Sequence, residues 1–239
     1  VALTPSNIPY GDSVTVNSGD TRSFASYSGS FENAGMVTNE GSIFNYGDGL
    51  NSGDFDNFAT LLNDITGHFT NAVDSQLTNG GSVHNFGGIV NSGQISNSDD
   101  GTTANAGSLI NSGTLTNEIG GTLTNYSSGS IDNSGTISNE GSTSNEGDIS
   151  NSGVIQNIGT VINASTGVIA NSIGGAIQII GTWANQTGST TNNSGNIDIT
   201  GTIQNAGMVT NAAGGYINNA LGGAIQNLDT WFNETDSMT

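Results

Sequence analysis

The stretch Gly107-Ser108-Leu109-Ile110-Asn111-Ser112 is one copy of a six-residue phrase that fills most of this chain. Its form is Gly-x-Φ-x-Asn-x, where Φ is an apolar residue and x is mostly a polar one. The phrase runs from about Gly29 to about Asn227, and other clear copies begin at Gly41 and Gly135. A short fixed period of this kind usually decides the whole fold.

Glycine, Φ and asparagine occupy alternate positions of the phrase, so in an extended segment their side chains share one face. The x positions point to the other face and are polar. Helix is disfavoured, because the period is not 3.6 and a glycine in every sixth position costs about 1 kcal/mol per copy. The phrase therefore predicts a short β-strand with an apolar inner face.

A strand this short becomes stable when each coil of chain hydrogen-bonds to the coils above and below it, as in a solenoid. We predict an all-β fold, a single-stranded parallel β-helix with about 18–20 residues per coil and three sides. We expect right-handed coils from the general crossover preference, with the left-handed hexapeptide helix as the alternative. The inward columns would contain Ile43, Phe55, Leu109, Ile137, Ile155, Ile177, Trp183, Ile203 and Ile217.

Two residue types of the phrase have expected structural roles. We expect glycine to allow a sharp corner with positive φ. Asparagine tolerates the left-handed conformation and can bond turn backbone, and stacked asparagines would form amide ladders. The ladder residues we predict are Asn105, Asn111, Asn117, Asn133, Asn139, Asn145, Asn151, Asn157, Asn205 and Asn211.

The phrase also divides the chain into segments. Residues 29–227 form the predicted solenoid, residues 1–28 an N-terminal cap or inter-subunit linker strand, and residues 228–239 a C-terminal cap or tail. Within the solenoid, residues 53–66 and 67–80 look irregular and are expected to carry loops or a bulge. Because the first residue is Val1, we expect a mature product whose leader was removed.

Composition narrows the class of function. The chain has 239 residues, 20 of them acidic, one basic (Arg22), and no cysteine, giving a net charge of −19. Such a charge excludes a nucleic-acid partner, since nothing could neutralise phosphates. The absence of cysteine excludes a disulfide framework and a thiolate metal site, and no apolar run is long enough for a transmembrane helix.

The run Asn-Ser-Gly-x-Ile-x-Asn-x-Gly, as in residues 133–141 and 151–159, resembles the asparagine- and glycine-rich repeats of microbial surface proteins. Repeats of this kind are typical of the filamentous haemagglutinin-like and autotransporter-type adhesins. This resemblance concerns the repeat alone, over residues 29–227, and implies a secreted β-helical shaft.

Few residues suit catalysis or metal binding. A β-helical lyase needs basic residues, and a carboxylate hydrolase needs two acids at a set separation, so we predict no enzyme. No cofactor is expected, although Ca²⁺ is a hard ion that oxygen ligands could hold. His68 and His84 are expected on the solvated outer face. The calcium candidates are Asp99, Asp100, Asp54 and Asp56.

Two surface patterns suggest further sites. The Thr-x-Thr pairs at residues 114–116 and 122–124 could form an ice-binding array, but adjacent units should lie on different faces. Glycosylation sequons sit in or beside longer units, where a wider corner could turn asparagine outward. They occur at Asn125, Asn163, Asn185, Asn192 and Asn233.

The sequence leaves two functions open. The first is a non-catalytic, extracellular structural subunit that assembles with itself, head to tail, into a filament, sheath or surface fibre. The alternative is an adhesin shaft at the cell surface that binds glycans or matrix.

Overall fold

The computed structural model describes residues 7–9, 11–23, 30–98 and 100–238. Within them the chain forms 34 short strands and no helix, so nothing there has the helical length and apolarity needed to cross a membrane. In chain order the strands are β1 (Asn7–Ile8), β2 (Ser13–Val16), β3 (Thr21–Ser23), β4 (Ser30–Asn33), β5 (Met36–Asn39), β6 (Ser42–Asn45), β7 (Asp48–Asn51), β8 (Asp54–Asn57), β9 (Thr60–Asn63), β10 (His68–Asn71), β11 (Gln76–Asn79), β12 (Ser82–Asn85), β13 (Gly88–Asn91), β14 (Gln94–Asn97), β15 (Thr102–Asn105), β16 (Ser108–Asn111), β17 (Thr114–Asn117), β18 (Thr122–Asn125), β19 (Ser130–Asn133), β20 (Thr136–Asn139), β21 (Ser142–Asn145), β22 (Asp148–Asn151), β23 (Val154–Asn157), β24 (Thr160–Asn163), β25 (Val168–Asn171), β26 (Ala176–Ile179), β27 (Thr182–Asn185), β28 (Thr190–Asn193), β29 (Asn196–Ile199), β30 (Thr202–Asn205), β31 (Met208–Asn211), β32 (Tyr216–Asn219), β33 (Ala224–Asn227) and β34 (Thr230–Asn233).

Every third strand belongs to the same sheet, which makes a three-sided solenoid. The three sheets, named here after their first strands, are the β1 sheet of 12 strands and the β2 and β3 sheets of 11 strands each. All pairings are parallel, and Asn stands opposite Asn in most of them, as at Asn111 and Asn133. With a spacing of about 4.8 Å between strands, some eleven coils give a rod about 50 Å long. The predicted all-β, three-sided parallel solenoid is confirmed, and its right-handedness stays a prediction.

The core is a set of three apolar columns inside the tube. The Φ residues predicted to face inward are at most 5% exposed, from Ile43 at 0% to Ile155 at 5%. Stacked asparagines are 18, 20 or 22 residues apart, so the longest coils exceed the expected length. Coils lengthen where a corner is two residues longer, as between β17 and β18, where the Gly121 amide donates to the Glu118 carbonyl in a tight turn.

The two stretches expected to be irregular continue the solenoid without a bulge, and they depart from the six-residue phrase at two longer corners, residues 64–67 and 72–75. They contain β8 to β11, which pair in register with the coils on either side. The phrase is obscured there because Ala59 and Ser75 stand where glycine usually does. Just before these stretches, Gly49 stands at a Φ position. Phe31 and Phe69 lie opposite Gly49 in the coils below and above, and the Phe69 ring occupies the space beside it.

The expected reason for the phrase glycines is wrong. In the described residues positive φ occurs at other glycines, such as Gly120 and Gly174 inside the longer corners. A Cβ on Gly135 would instead collide with the carbonyl oxygen of Gly113 in the coil below, and one on Gly153 with that of Gly135. The close approach of stacked corners thus favours glycine at most of these positions, although Ala59 and Ser75 are accommodated at two of them. The ladder asparagines likewise end extended strands and do not adopt the left-handed conformation.

The coils extend beyond the boundaries that the phrase suggests. Strands β1, β2 and β3 pair with β4, β5 and β6 and so form a first coil before residue 29. At the other end, β34 pairs with β31 and Met238 bridges to Tyr216. A capping or linking role for residues 1–28 and 228–239 remains a prediction, and the residues of these segments that the structure describes continue the solenoid.

Candidate functional site

The asparagine ladders are the most regular polar feature of the molecule. Most buried asparagines donate one Nδ2 hydrogen to Oδ1 of the asparagine one coil further on, at 2.7 Å from Asn111 to Asn133 and 2.8 Å from Asn133 to Asn151. Three such ladders run along the rod, one per corner, and all donate in the same direction. The predicted ladder residues lie in these columns, buried at 3% exposure or less.

The ladder amides also donate hydrogen bonds to backbone carbonyl oxygens at the corners. Asn111 Nδ2 lies 3.0 Å from the carbonyl oxygen of Thr136, the first residue of the next strand in the next coil, and 3.3 Å from that of Gly113. In the described residues no buried side-chain nitrogen or oxygen lacks a hydrogen-bond partner. A buried amide without a hydrogen-bond partner lowers the stability of the folded state. Asparagine recurs at this position because its two donors and one acceptor match the partners that the corner and the next coils offer.

Two ladders are interrupted. In the β3 sheet, Asn163 stands opposite Asn185 but donates to the Thr190 carbonyl at 2.8 Å instead. In the β2 sheet, Ile179 and Ile199 follow Asn157 in the column where asparagine is expected. Asn157 keeps a bond to the Thr182 carbonyl at 2.7 Å and accepts from Asn139 at 2.8 Å. The Ile pair is fully buried, so apolar packing replaces the amide chain for two coils.

The calcium candidates do not converge. Asp54 and Asp56 point outward from β8, Asp100 lies at a corner elsewhere, and Asp99 is outside the described residues. No group of three or more His, Asp or Glu side chains suited to a metal ion occurs in the described part of the chain. Burial raises the pKa of Asp56, the Thr78 hydroxyl bond lowers it, and the neighbouring Asp54 charge raises it further.

The histidines and the Thr-x-Thr pairs lie where the spacing suggested. His68 belongs to the β1 sheet and His84 to the β3 sheet, both on the outward side, so they do not stack. Residues 114–116 lie on the β2 sheet and residues 122–124 on the β3 sheet. The two Thr-x-Thr pairs therefore build no shared face.

The longer corners do not turn sequon asparagines outward, contrary to expectation. Asn125 and Asn163 are 0% exposed and Asn185 is 2% exposed. Asn125 Nδ2 is engaged with Asn145 and with the carbonyls of Gly129 and Asp148. These three amides are not accessible for glycosylation in the folded chain. Asn192 is half-buried on an outward position and Asn233 is exposed, so their modification stays a prediction.

The outward faces of the three sheets differ in charge, a feature that sequence reasoning missed. Carboxylates project from the β1 sheet, for example at Glu32 and Asp148, and from the β2 sheet at Asp54 and Asp198. Within the described residues, no strand of the β3 sheet contains an acidic residue. The first outward position of that sheet forms a hydroxyl column of ten consecutive coils, made of Thr21, Ser42, Thr60, Ser82, Thr102, Thr122, Ser142, Thr160, Thr182 and Thr202.

The two ends of the rod also differ. In the first coil, Ile8 and Val16 stand opposite Asn33 and Asn39, so apolar residues that are fully buried close two of the ladders. In the last coil the ladder positions are exposed, and Ile225 and Trp231 are only partly buried. The exposed ladder residues of this C-terminal end face are Asn219, Asn227 and Asn233.

Comparison with known proteins adds little to this description. No family model matches the chain, and no curated protein matches it. Among solved structures, the chain is similar to one described as a TibC-catalysed, hyper-glycosylated fragment of TibA. The identity is 17%, 97% of each chain is covered, and the TM-score is 0.34. A structural similarity with so low a TM-score carries no argument about function.

Proposed function

We propose that the chain is a non-catalytic structural rod of an extracellular filament, sheath or surface fibre, in which copies stack head to tail. The observation that carries the proposal is the C-terminal end face. It combines exposed ladder amides, partly buried apolar residues and the last strands of two sheets, β33 and β34. Strand edges of this kind pair readily with another chain.

The opposite end supplies a complementary surface. Val14 is partly buried at a Φ position of the first coil, so this end also offers an apolar core side chain for another copy to cover. The single cation of the chain, Arg22, also lies in the first coil, 3.2 Å from Asp20. The last coil and tail are more acidic than the first coil, where Arg22 offsets one of two aspartates, so the two end surfaces differ and their contact would be heterologous and fibre-forming. The acidic end residues are Asp229, Glu234 and Asp236.

An extracellular setting suits this composition. A chain without cysteine does not depend on the redox state of its compartment. Net charge far from zero keeps the flanks of neighbouring rods apart. Adhesion by the shaft is the alternative function, and it would use the flanks of the rod rather than its end.

Negative-stain microscopy and sedimentation velocity of the purified chain test the proposal. We expect fibres of constant width, broken into rods about 50 Å long when Ile225 and Trp231 are both changed to Arg. The matched control changes Ile173 and Val90, which are exposed on the flanks, to Arg and should leave fibres intact. The proposal is overturned if the parent chain forms only discrete rods at high concentration, or if the flank variant dissociates fibres as effectively.

A further inference from the structure

The outward face of the β3 sheet is an uncharged strip on a strongly acidic protein. From Thr21 to Asn227 none of its strands contains Asp or Glu, although the chain has 20 acidic residues. The carboxylates nearest to it sit at its corners, as Glu140 and Glu146 do on either side of β21. The strip is therefore flanked, but not crossed, by negative charge.

The hydroxyl column on this strip is available to a ligand. Its members are half-buried or exposed, and none of their hydroxyls donates a hydrogen bond to another described residue. Outward groups on the β2 sheet behave differently, since Ser96 bonds Glu118 and Asn218 bonds Asp198. Ten hydroxyls about 4.8 Å apart thus present a line of donors and acceptors about 45 Å long.

The second outward row of the same sheet is mixed and uneven. Phe44, Leu62 and Ile162 are large, apolar and half-buried, whereas the polar residues of the row include His84, Thr124, Ser144, Gln204 and Gln226. Side chains of such different size do not make the flat, repeating array that an ice lattice would need. They do provide apolar patches beside hydroxyl groups, which is the combination that a sugar ring, with its apolar faces and polar edge, can use.

We propose that the β3 sheet binds an uncharged polysaccharide laid along the axis of the solenoid. Hydroxyls of the column exchange hydrogen bonds with sugar hydroxyls, and the apolar side chains of the second row, Phe44, Leu62 and Ile162, pack against ring faces. A polyanion is disfavoured, because the net charge of −19 and the corner carboxylates repel it. This surface is separate from the C-terminal end face, so the inference does not depend on fibre formation.

Affinity electrophoresis in native gels tests this directly, with dextran, soluble starch or hydroxyethyl cellulose in the gel and polygalacturonate as the anionic comparison. The test variant carries Thr102→Asp, Thr122→Asp and Ser142→Asp in the hydroxyl column. Its matched control carries Gln94→Asp, Thr114→Asp and Thr136→Asp, which add the same charges in the same coils on the β2 sheet. Circular dichroism melts establish that both variants are folded.

We expect at least one neutral polymer to retard the parent and the β2-sheet control, with at least a tenfold loss of affinity in the β3-sheet variant. An isosteric variant with Thr102→Val, Thr122→Val and Thr160→Val should also lose affinity, because it removes only hydroxyls. Equal migration of the parent with and without all three neutral polymers refutes the proposal, as does stronger retardation by polygalacturonate. A parent dimer that the β3-sheet variant converts to monomer would show that a second copy, not a glycan, occupies the face.

Discussion

Asn97 Oδ1 accepts a hydrogen bond from Asn79 at 2.7 Å, and Asn97 Nδ2 donates to Asn117 at 2.8 Å, so this one side chain joins three coils. Its Nδ2 also reaches the carbonyls of Gly101 and Thr122. Asn157, further along the same column, has an asparagine neighbour on one side only, because Ile179 lies on the other. Comparing substitutions at Asn97 and Asn157 therefore measures how much the ladder bonds contribute to the free energy of unfolding.

Asn97→Ile should destabilise the protein more than Asn157→Ile. The first change breaks two ladder bonds and the second breaks one, and each buried polar group left without a partner costs about 1–3 kcal/mol. Chemical denaturation of both variants measures the difference in the free energy of unfolding. Equal losses would mean that asparagine acts here only as a residue of suitable size.

Gly135→Ala should destabilise the rod by about 1–3 kcal/mol or more, because the added methyl group would overlap the Gly113 carbonyl and the backbone on both sides is fixed by stacking. Gly80→Ala is the matched control. A methyl group there would meet the Phe58 ring at 3.5 Å, an ordinary contact. Melting temperatures of the two variants test the close-approach explanation, which fails if Gly80→Ala is the more damaging change.

Asp56→Asn should stabilise the protein at neutral pH. Burial, the main cause, raises the pKa of Asp56 above its ordinary value of 3.8, so the charged form is less favourable in the folded state than in the unfolded state. This penalty is absent below pH 3.8, where the carboxyl is protonated in both states, and develops as the pH rises through the raised pKa. Thermal melts should therefore show a gain in the variant at pH 7 that disappears at pH 3. A gain of the same size at both pH values would rule out this electrostatic cause.

Thr143→Ile should stabilise the protein by about 0.5–2 kcal/mol. Thr143 occupies a Φ position and borders a buried cavity of about 20 Å³ lined by Leu123, Val161 and Trp183 among others. The lost hydroxyl bond to Asn139 leaves no buried group without a partner, because Asn139 Oδ1 still accepts from Asn117. Thr143→Val, which adds no volume, should show little of the gain in denaturation experiments.

The strand, the inward columns and the ladders could be predicted from the sequence because they depend on alternation within a single phrase. Ala59, Ser75 and Ser189 replace the first glycine of the phrase, so the phrase alone does not indicate the strands that follow them. The role of glycine was misjudged, since the atom that excludes a Cβ at Gly135 belongs to Gly113, 22 residues away. The burial of the sequon residue Asn125 likewise depends on contacts with another coil, so the sequence of its own unit does not predict it.

The outward surfaces could not be predicted from the phrase. Whether Thr102 and Thr122 share a face depends on the sum of the corner lengths between them, and a two-residue error moves every later strand to a different position. Only the register places these threonines in one column with Ser142. The charge difference between sheets, on which the proposed glycan surface rests, follows from that register.

The central claim is that successive coils stack in register, and distances between spin labels test it most directly. The chain has no cysteine, so cysteine pairs can be introduced for labelling at Thr102 and Thr182, which are four coils apart in one column. The account predicts a narrow distribution of distances near 19 Å, increasing by about 4.8 Å when the second label moves one coil further to Thr202. A broad distribution at much longer distances, or no regular increment, would contradict it.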